Sequence, residues 1–169
     1  WTLHRTRTQG SSRRKRTWMW LRLLATALKP RFDEKVMAIV EKHNGQCKTV
    51  AIKGHARMTN KMLAAEDHRY EAKPRPAMNI DIVRICVTLQ TPAELAAAAA
   101  ELCAAFGGAA RVKNMFLFDE QRAAAQLHYR TVMLNVPFAP AGMTFGTLAK
   151  DKTTQAAWQR YTEGRPNNP

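Results

Sequence analysis

Residues 79–116 decide the fold. They begin Asn79-Ile80-Asp81-Ile82-Val83-Arg84-Ile85-Cys86-Val87-Thr88-Leu89, continue through Thr91-Pro92-Ala93-Glu94 and the alanine-rich run Leu95 to Phe106, turn at Gly107-Gly108, and end Arg111-Val112-Lys113-Asn114-Met115-Phe116. Ile80 to Leu89 is apolar and rich in β-branched residues, with Asp81 and Arg84 set into it, and predicts a buried strand. Thr91, Pro92 and Glu94 carry three helix-start signals at once: an N-cap hydroxyl, proline at the first helical position, and a glutamate that completes a capping box. Alanine and leucine then propagate the helix. Two glycines stop it, because only glycine enters the left-handed region without steric cost. Arg111 to Phe116 predicts a return strand. Strand, helix and strand make a crossover unit, whose two strands are expected side by side in one sheet.

Working outward, Arg31 to Asn44 is an amphipathic helix. Phe32, Val36, Ile39 and Val40 fall on one face, Asp33 and Glu34 in the first turn, Lys42 and His43 in the last, with Asn44-Gly45 as the stop. Gln46 to Lys53 predicts a strand, His55 to Arg69 a helix carrying Met58, Met62 and Leu63 on one side, and Tyr70 to Ala77 a loop through Pro74 and Pro76. Beyond Phe116, Asp119 caps a short helix reaching Leu127. Tyr129 to Val136 is a strand ended by Pro137 and Pro140. Ala141 to Pro169 is an irregular extension with a helical hint over Thr154 to Tyr161, docked by Trp158 and Tyr161. The order α-β-α-β-α-β-α-β predicts an α/β or α+β domain, a small mixed sheet flanked by helices. It spans residues 31–138, between a basic and aromatic N-terminal extension (1–30) and a C-terminal one (139–169).

The formal charge is +14 and the pI about 10.4. Residues 1–30 carry +8 of it, with no acid; residues 31–138 carry +4 and residues 139–169 carry +2. The middle is thus an ordinary, mildly basic domain with a cationic arm. Residues 1–17 have almost nothing to bury and are expected to be disordered alone. The obvious holder of Arg5, Arg7, Arg13, Arg14, Lys15 and Arg16, with Arg22 further on, is a phosphate backbone. An organelle-targeting segment has the same Arg- and Ser-rich, acid-poor composition, and a chain starting at Trp1 fits processing upstream. The plain alternative is a charge run held by neighbours without a specific role. Trp18 to Leu28 predicts a short helix ended by Lys29-Pro30. Its two tryptophans either anchor a protein neighbour or membrane interface, or pack on the chain's own core. No apolar run approaches the roughly 20 residues of a membrane span. Cys47, Cys86 and Cys103 lack metal-ligand spacing and read as small buried hydrophobes, Cys86 in the buried strand. The five histidines show no ligand spacing either. Met58, Met62, Met115 and Met133 read as core fillers.

Several pieces together resemble the RelA/SpoT synthetase-like domain of the nucleotidyltransferase superfamily, over roughly residues 33–138. They are Lys53-Gly54-His55-Ala56-Arg57-Met58 with Lys61, then Asn79 to Arg84, Arg111 to Asn114, and Tyr129-Arg130 ahead of Val132 to Val136. The resemblance implies that Lys53, Arg57 and Lys61 face the triphosphate of ATP. It implies that Asp81 binds magnesium with Arg84 in support, and that Tyr129 stacks on a guanine. The chain departs from the pattern at the second carboxylate. No Glu-x-Gln follows Tyr129, and from there on the only acids are Asp151 and Glu163. The expected glycine before the tyrosine is His128, and Thr131 follows Arg130. The resemblance with these departures implies a kept fold and lost catalysis, a vestigial nucleotide site with no catalytic residue, metal or cofactor.

For the residues themselves the plain readings are an Asp81–Arg84 pair at a strand edge and a solvated or RNA-facing row of Lys53, Arg57 and Lys61. The function expected is a non-catalytic, structural RNA-binding component of a large organellar ribonucleoprotein, with a mitochondrial ribosome the best fit, in contact with ribosomal RNA and neighbouring proteins. One alternative is an accessory subunit of a membrane-bound organellar complex, its basic arm on an anionic membrane surface. The other is an active pyrophosphokinase, which needs a second acid brought to Asp81 by Asp119, Glu120 or the C-terminal segment.

Overall fold

The computed structural model describes residues 5–64 and 78–163, and at residues 5–16, 145 and 161–163 the course of the backbone only. The fold is α+β: helices with small sheets. In chain order the elements are α1 (Arg5–Glu41), β1 (Gln46–Thr49), α2 (His55–Leu63), β2 (Ile85–Thr88), α3 (Pro92–Ala105), β3 (Arg111–Asn114), a single 3₁₀ turn (Met115–Leu117), α4 (Glu120–Ala124), β4 (Val132–Asn135), α5 (Phe145–Lys150) and α6 (Lys152–Glu163). The alternation expected from the sequence is present through β4. The tail of the expected second helix, 65–69, and the loop 70–77 lie outside the described residues.

Both extensions differ from expectation, because α1 begins at Arg5 and not at Trp18, and α5 and α6 make most of the C-terminal stretch helical where the sequence predicts an irregular course. Three further expectations are overturned. The first is the break at Pro30, since α1 runs through it as one helix of 37 residues. Proline removes a backbone donor and its ring crowds the preceding turn, at a cost of about 3 kcal/mol in a helix interior. Tertiary packing overrides that cost. Leu23, Ala25 and Ala27 are buried before the proline, and Asp33, Val36, Ile39 and Val40 after it. Lys29 also clasps Asp33 across the proline turn, its Nζ donating to both carboxylate oxygens at 2.9 and 2.7 Å. The second is the length of the central strand. Ile80 to Arg84 are not strand, because Asp81 and Arg84 are engaged through their side chains and Ile80 is exposed.

The third is the single mixed sheet. β1 pairs with β2 in one two-stranded sheet, and β3 with β4 in another. The crossover geometry permits neighbouring strands but does not require them. Here β3 takes β4 as an antiparallel partner, with Arg111 opposite Asn135 and Asn114 opposite Val132. Ala110 N–H to Asn135 C=O at 2.8 Å and Met115 N–H to Thr131 C=O at 2.9 Å extend the ladder at both ends.

The chain forms two compact units. The first comprises residues 1–35, 48–86 and 141–169. Its core gathers Trp18 and Ala25 of α1, Met58 and Met62 of α2, and Ile82, with Leu21, Ile52 and Val83 packed against them. Met58 and Met62 stand one turn apart, so α2 presents a single apolar stripe. In the C-terminal part Thr144 caps α5 by accepting from Thr147 N at 3.2 Å, and Asp151 Oδ1 accepts from Thr153 N at 2.9 Å at the start of α6. Leu148 is buried.

The second unit comprises residues 36–47 and 87–140. Its capped helix is as the sequence expects. Thr91 Oγ1 accepts from Glu94 N at 3.2 Å, and Glu94 Oε2 accepts from Thr91 N at 2.9 Å. Gly107 and Gly108 both have positive φ, and Gly108 N–H closes the helix on Cys103 C=O at 2.7 Å. Gly45 is required for space. A Cβ there would stand 2.5 Å from Val40 Cγ1 and 2.7 Å from Leu89 Cδ2. Phe106 is buried and tilts against Phe138, ring centroids 5.7 Å apart. Two burial expectations fail. Cys86 is exposed, because β2 alternates half-buried Ile85 and Val87 with exposed Cys86 and Thr88 instead of being buried on both faces. Met133 is 46% exposed, on a sheet only two strands wide.

Candidate functional site

The backbone brings Lys53 and Asp81 together before their charges do. Lys53 N–H donates to Ile82 C=O at 3.0 Å, so the residues leading into α2 lie along those leading into β2. Lys53 Nζ then meets Asp81 Oδ1 at 2.5 Å, and Lys61 Nζ, from the last turn of α2, stands 3.7 Å from Oδ2. Lys53 is only 2% exposed, whereas a third of the Asp81 side chain remains accessible. Arg84 Nη2 donates to Ala51 C=O at 3.4 Å, and Lys29 Nζ caps the Arg84 carbonyl at 3.2 Å. One carboxylate thus serves two ammonium groups, with Arg84 near enough to act on Lys53 by charge.

The titration behaviour follows from this crowding. Burial lowers the Lys53 ammonium, against the hydrogen bond and charge of Asp81, and the charges of Lys61 and Arg84 lower it further. Burial alone would raise the Asp81 carboxyl. The hydrogen bond and charge of Lys53, joined by the charge of Lys61, outweigh it and hold Asp81 below the usual aspartate range.

Of the six residues in the implied nucleotide site, Lys53, Lys61, Asp81 and Arg84 are gathered here. Arg57 is on α2 but exposed. Tyr129 belongs to the second unit and is 59% exposed. Its neighbour Arg130 is a backbone staple, Nη1 donating to Met115 C=O at 2.9 Å and Phe118 C=O at 3.0 Å. The plain readings of the cluster are corrected at two points. Asp81 pairs with Lys53 and Lys61, not with Arg84, because the chain direction at residue 82 turns it toward the start of α2. Lys53 is a buried ion-pair partner and not part of a solvated row.

The resemblance implies magnesium, and the donors present do not suit it. A hard divalent cation needs oxygen ligands. Both oxygens of Asp81 face ammonium groups, and among the described residues no three His, Cys, Asp or Glu side chains gather around one point. Asp119 caps α4 instead, its Oδ1 accepting from Arg122 N at 2.8 Å, and Glu120 lies 3.7 Å from His128.

The basic arm is the second feature. Arg5, Arg7, Arg13, Arg14, Lys15 and Arg16 lie in the first turns of α1, and their side chains are outside the described ones. At 100° per residue these six positions fall on all sides of the helix and not in one stripe. Arg22 is exposed. The two tryptophans that follow separate in role. Trp18 is 4% exposed and packs in the core, tilted against His55 at 5.1 Å, which realises the core-packing reading. Trp20 is half exposed and stacks on Trp158 of α6, centroids 6.3 Å apart and planes 23° from parallel. The sequence left the dock of Trp158 open; the partner is Trp20. The side chain of Tyr161 lies outside those described.

Sequence reasoning also missed the clasp of Lys29 on Asp33 and the pairs that Lys42 and His43 make with Glu101, at 2.6 and 2.8 Å. The first had a local signal, an i,i+4 Lys–Asp spacing. The second joins residues 58 and 59 positions apart and had none. Among the described residues no helix is long and apolar enough to cross a membrane. Comparison with models of known protein families, with curated proteins and with solved structures gives no match for this chain.

Proposed function

We propose that this chain is a non-catalytic, RNA-binding structural component of a large ribonucleoprotein, of which an organellar ribosome is the type that fits best. The observation that carries the reading is the construction of α1. Its first turns hold six cations and no acid, and the same unbroken helix is rooted in the core through Trp18, Leu23, Ala25 and Ala27. A cationic helix with a buried root is a rigid way to offer positive charge to a polyanion, and basic positions spread around the helix suit an envelope of phosphates better than a single flat surface.

The middle of the chain, on this proposal, descends from a RelA/SpoT-like nucleotidyltransferase domain. Support comes from the gathering of Lys53, Lys61, Asp81 and Arg84 in one cluster. The saturation of Asp81 by lysines, and the separation of β2 and β3 into different sheets, favour a scaffold over a working site. The membrane-docking alternative loses one of its two anchors, because Trp18 is inside the core.

The test is a salt titration of RNA binding. The protein is expected to bind a mixed-sequence RNA with an affinity that falls about linearly on a log–log scale with salt, steeply enough to lose orders of magnitude between 50 and 200 mM. Absent or salt-independent binding would refute the proposal. Incubation with ATP, GDP and magnesium, with Asp81→Ala as control, is expected to give equal and negligible pyrophosphate transfer. Activity lost in the variant would restore the enzyme reading.

A further inference from the structure

The geometry points to the Trp20–Trp158 stack as a platform for a base of single-stranded RNA, set beside the cations that hold its phosphates. This inference rests on the RNA-binding reading and names the form of RNA.

Two large aromatic rings lie nearly parallel, yet Trp20 keeps 50% and Trp158 keeps 42% of its surface in water. The stack therefore does not serve to bury its own area. Trp18, two residues away, shows what full burial in this unit looks like, at 4%. A nucleobase stacks on accessible indole surface whatever its identity, and both rings of this pair keep such surface. Charge complementarity selects the occupant. Residues 13, 16 and 20 share one face of α1 by helical spacing, and residue 16 lies one turn, about 6 Å, from residue 20. By sequence and spacing that face carries two arginine positions and then Trp20, the order in which a nucleotide carries phosphate and then base. No acid interrupts the sequence from Trp1 to Phe32.

A duplex is a poorer fit, because its bases are already stacked. A lipid surface is also a poorer fit. Inserting Trp158 would press exposed Gln155, one turn back on the same helix face, against the bilayer, whereas stacking engages the indole alone and leaves Gln155 in water.

The experiment compares a short single-stranded oligouridine, its duplex with oligoadenine, and vesicles with one-third anionic lipid, against the full chain and against Trp20→Ala, Trp158→Ala, and the Leu and Phe variants of both. Affinity is read at two salt concentrations together with tryptophan fluorescence. The expectation is quenching on binding the single strand and tighter binding of single strand than duplex. Each Ala variant should lose about tenfold in single-strand affinity with an unchanged salt slope. The Leu variants, which keep apolar volume if Ala unfolds the unit, should lose as much, and the Phe variants should retain most of it. Steeply salt-dependent RNA binding that is indifferent to all these substitutions would overturn the platform and leave the RNA-binding reading standing. No RNA binding by the unsubstituted chain would overturn both. Vesicle binding that the Ala variants abolish, with RNA binding untouched, would assign the stack to a membrane and overturn the platform.

Discussion

An ammonium removed from water needs a counter-charge, and Lys53 has Asp81 at 2.5 Å. The two partners are not equivalent. Asp81 keeps a third of its side chain in water and has Lys61 as a second neighbour, while Lys53 is sealed. Removing the acid therefore strands a buried cation, and removing the lysine leaves a carboxylate that still has a partner. Asp81→Ala is expected to cost about 2–3 kcal/mol in urea unfolding, below the range for a fully buried pair because Asp81 is partly solvated. Lys53→Met, which keeps the stem and drops the charge, is expected within about 1 kcal/mol of the parent. Equal losses would show that the pair does not act as described.

The same pair predicts an acid limb of stability. The Asp81 carboxyl is held lower in the fold than in the unfolded chain, so its contribution is complete above the unfolded value near 4 and is lost as pH falls through the lower, folded value. Asp81→Asn should remove that limb. Its stability deficit against the parent, measured by urea unfolding from pH 6 downward, should shrink below pH 4.

Helix α1 sets local preference against packing, and packing wins at Pro30. The helix continues because burial on both sides of the proline and the Lys29–Asp33 clasp outweigh one lost hydrogen bond. Pro30→Ala should accordingly stabilise the protein, by about 1–3 kcal/mol, with thermal midpoint as the readout. A lower midpoint would mean that the proline shapes a bend the packing needs. In α3 local preference and structure agree. Its capping box is formed through Thr91 and Glu94, and Thr91→Ala should cost about 1 kcal/mol.

Over the whole chain, charge is the feature that reaches furthest. Four of the cations on α1, Arg13 to Arg16, are consecutive. If each neutralises a phosphate of a single strand, replacing all four with Ser should reduce the log–log salt slope by roughly 3 without changing the fold, as followed by circular dichroism. An unchanged slope would move the RNA contact elsewhere on the molecule.

What the sequence by itself determined is what short-range chemistry encodes. The order of elements through β4, the Thr91–Glu94 box, the Gly107-Gly108 stop, the Asp119 cap and the core stripe of Val36, Ile39 and Val40 all depend on residues within a few positions of one another. The cationic arm is likewise a matter of composition. Tertiary structure alone decided the rest. It carried α1 through Pro30, assigned Asp81 to Lys53 and Lys61 in place of Arg84, sent β3 to β4 in place of β2, and brought Trp158 to Trp20. The physical reason is common to all four. Each outcome turns on partners brought together by burial from far along the chain, or on a local cost that such burial exceeds, and neither is visible in any short window of residues.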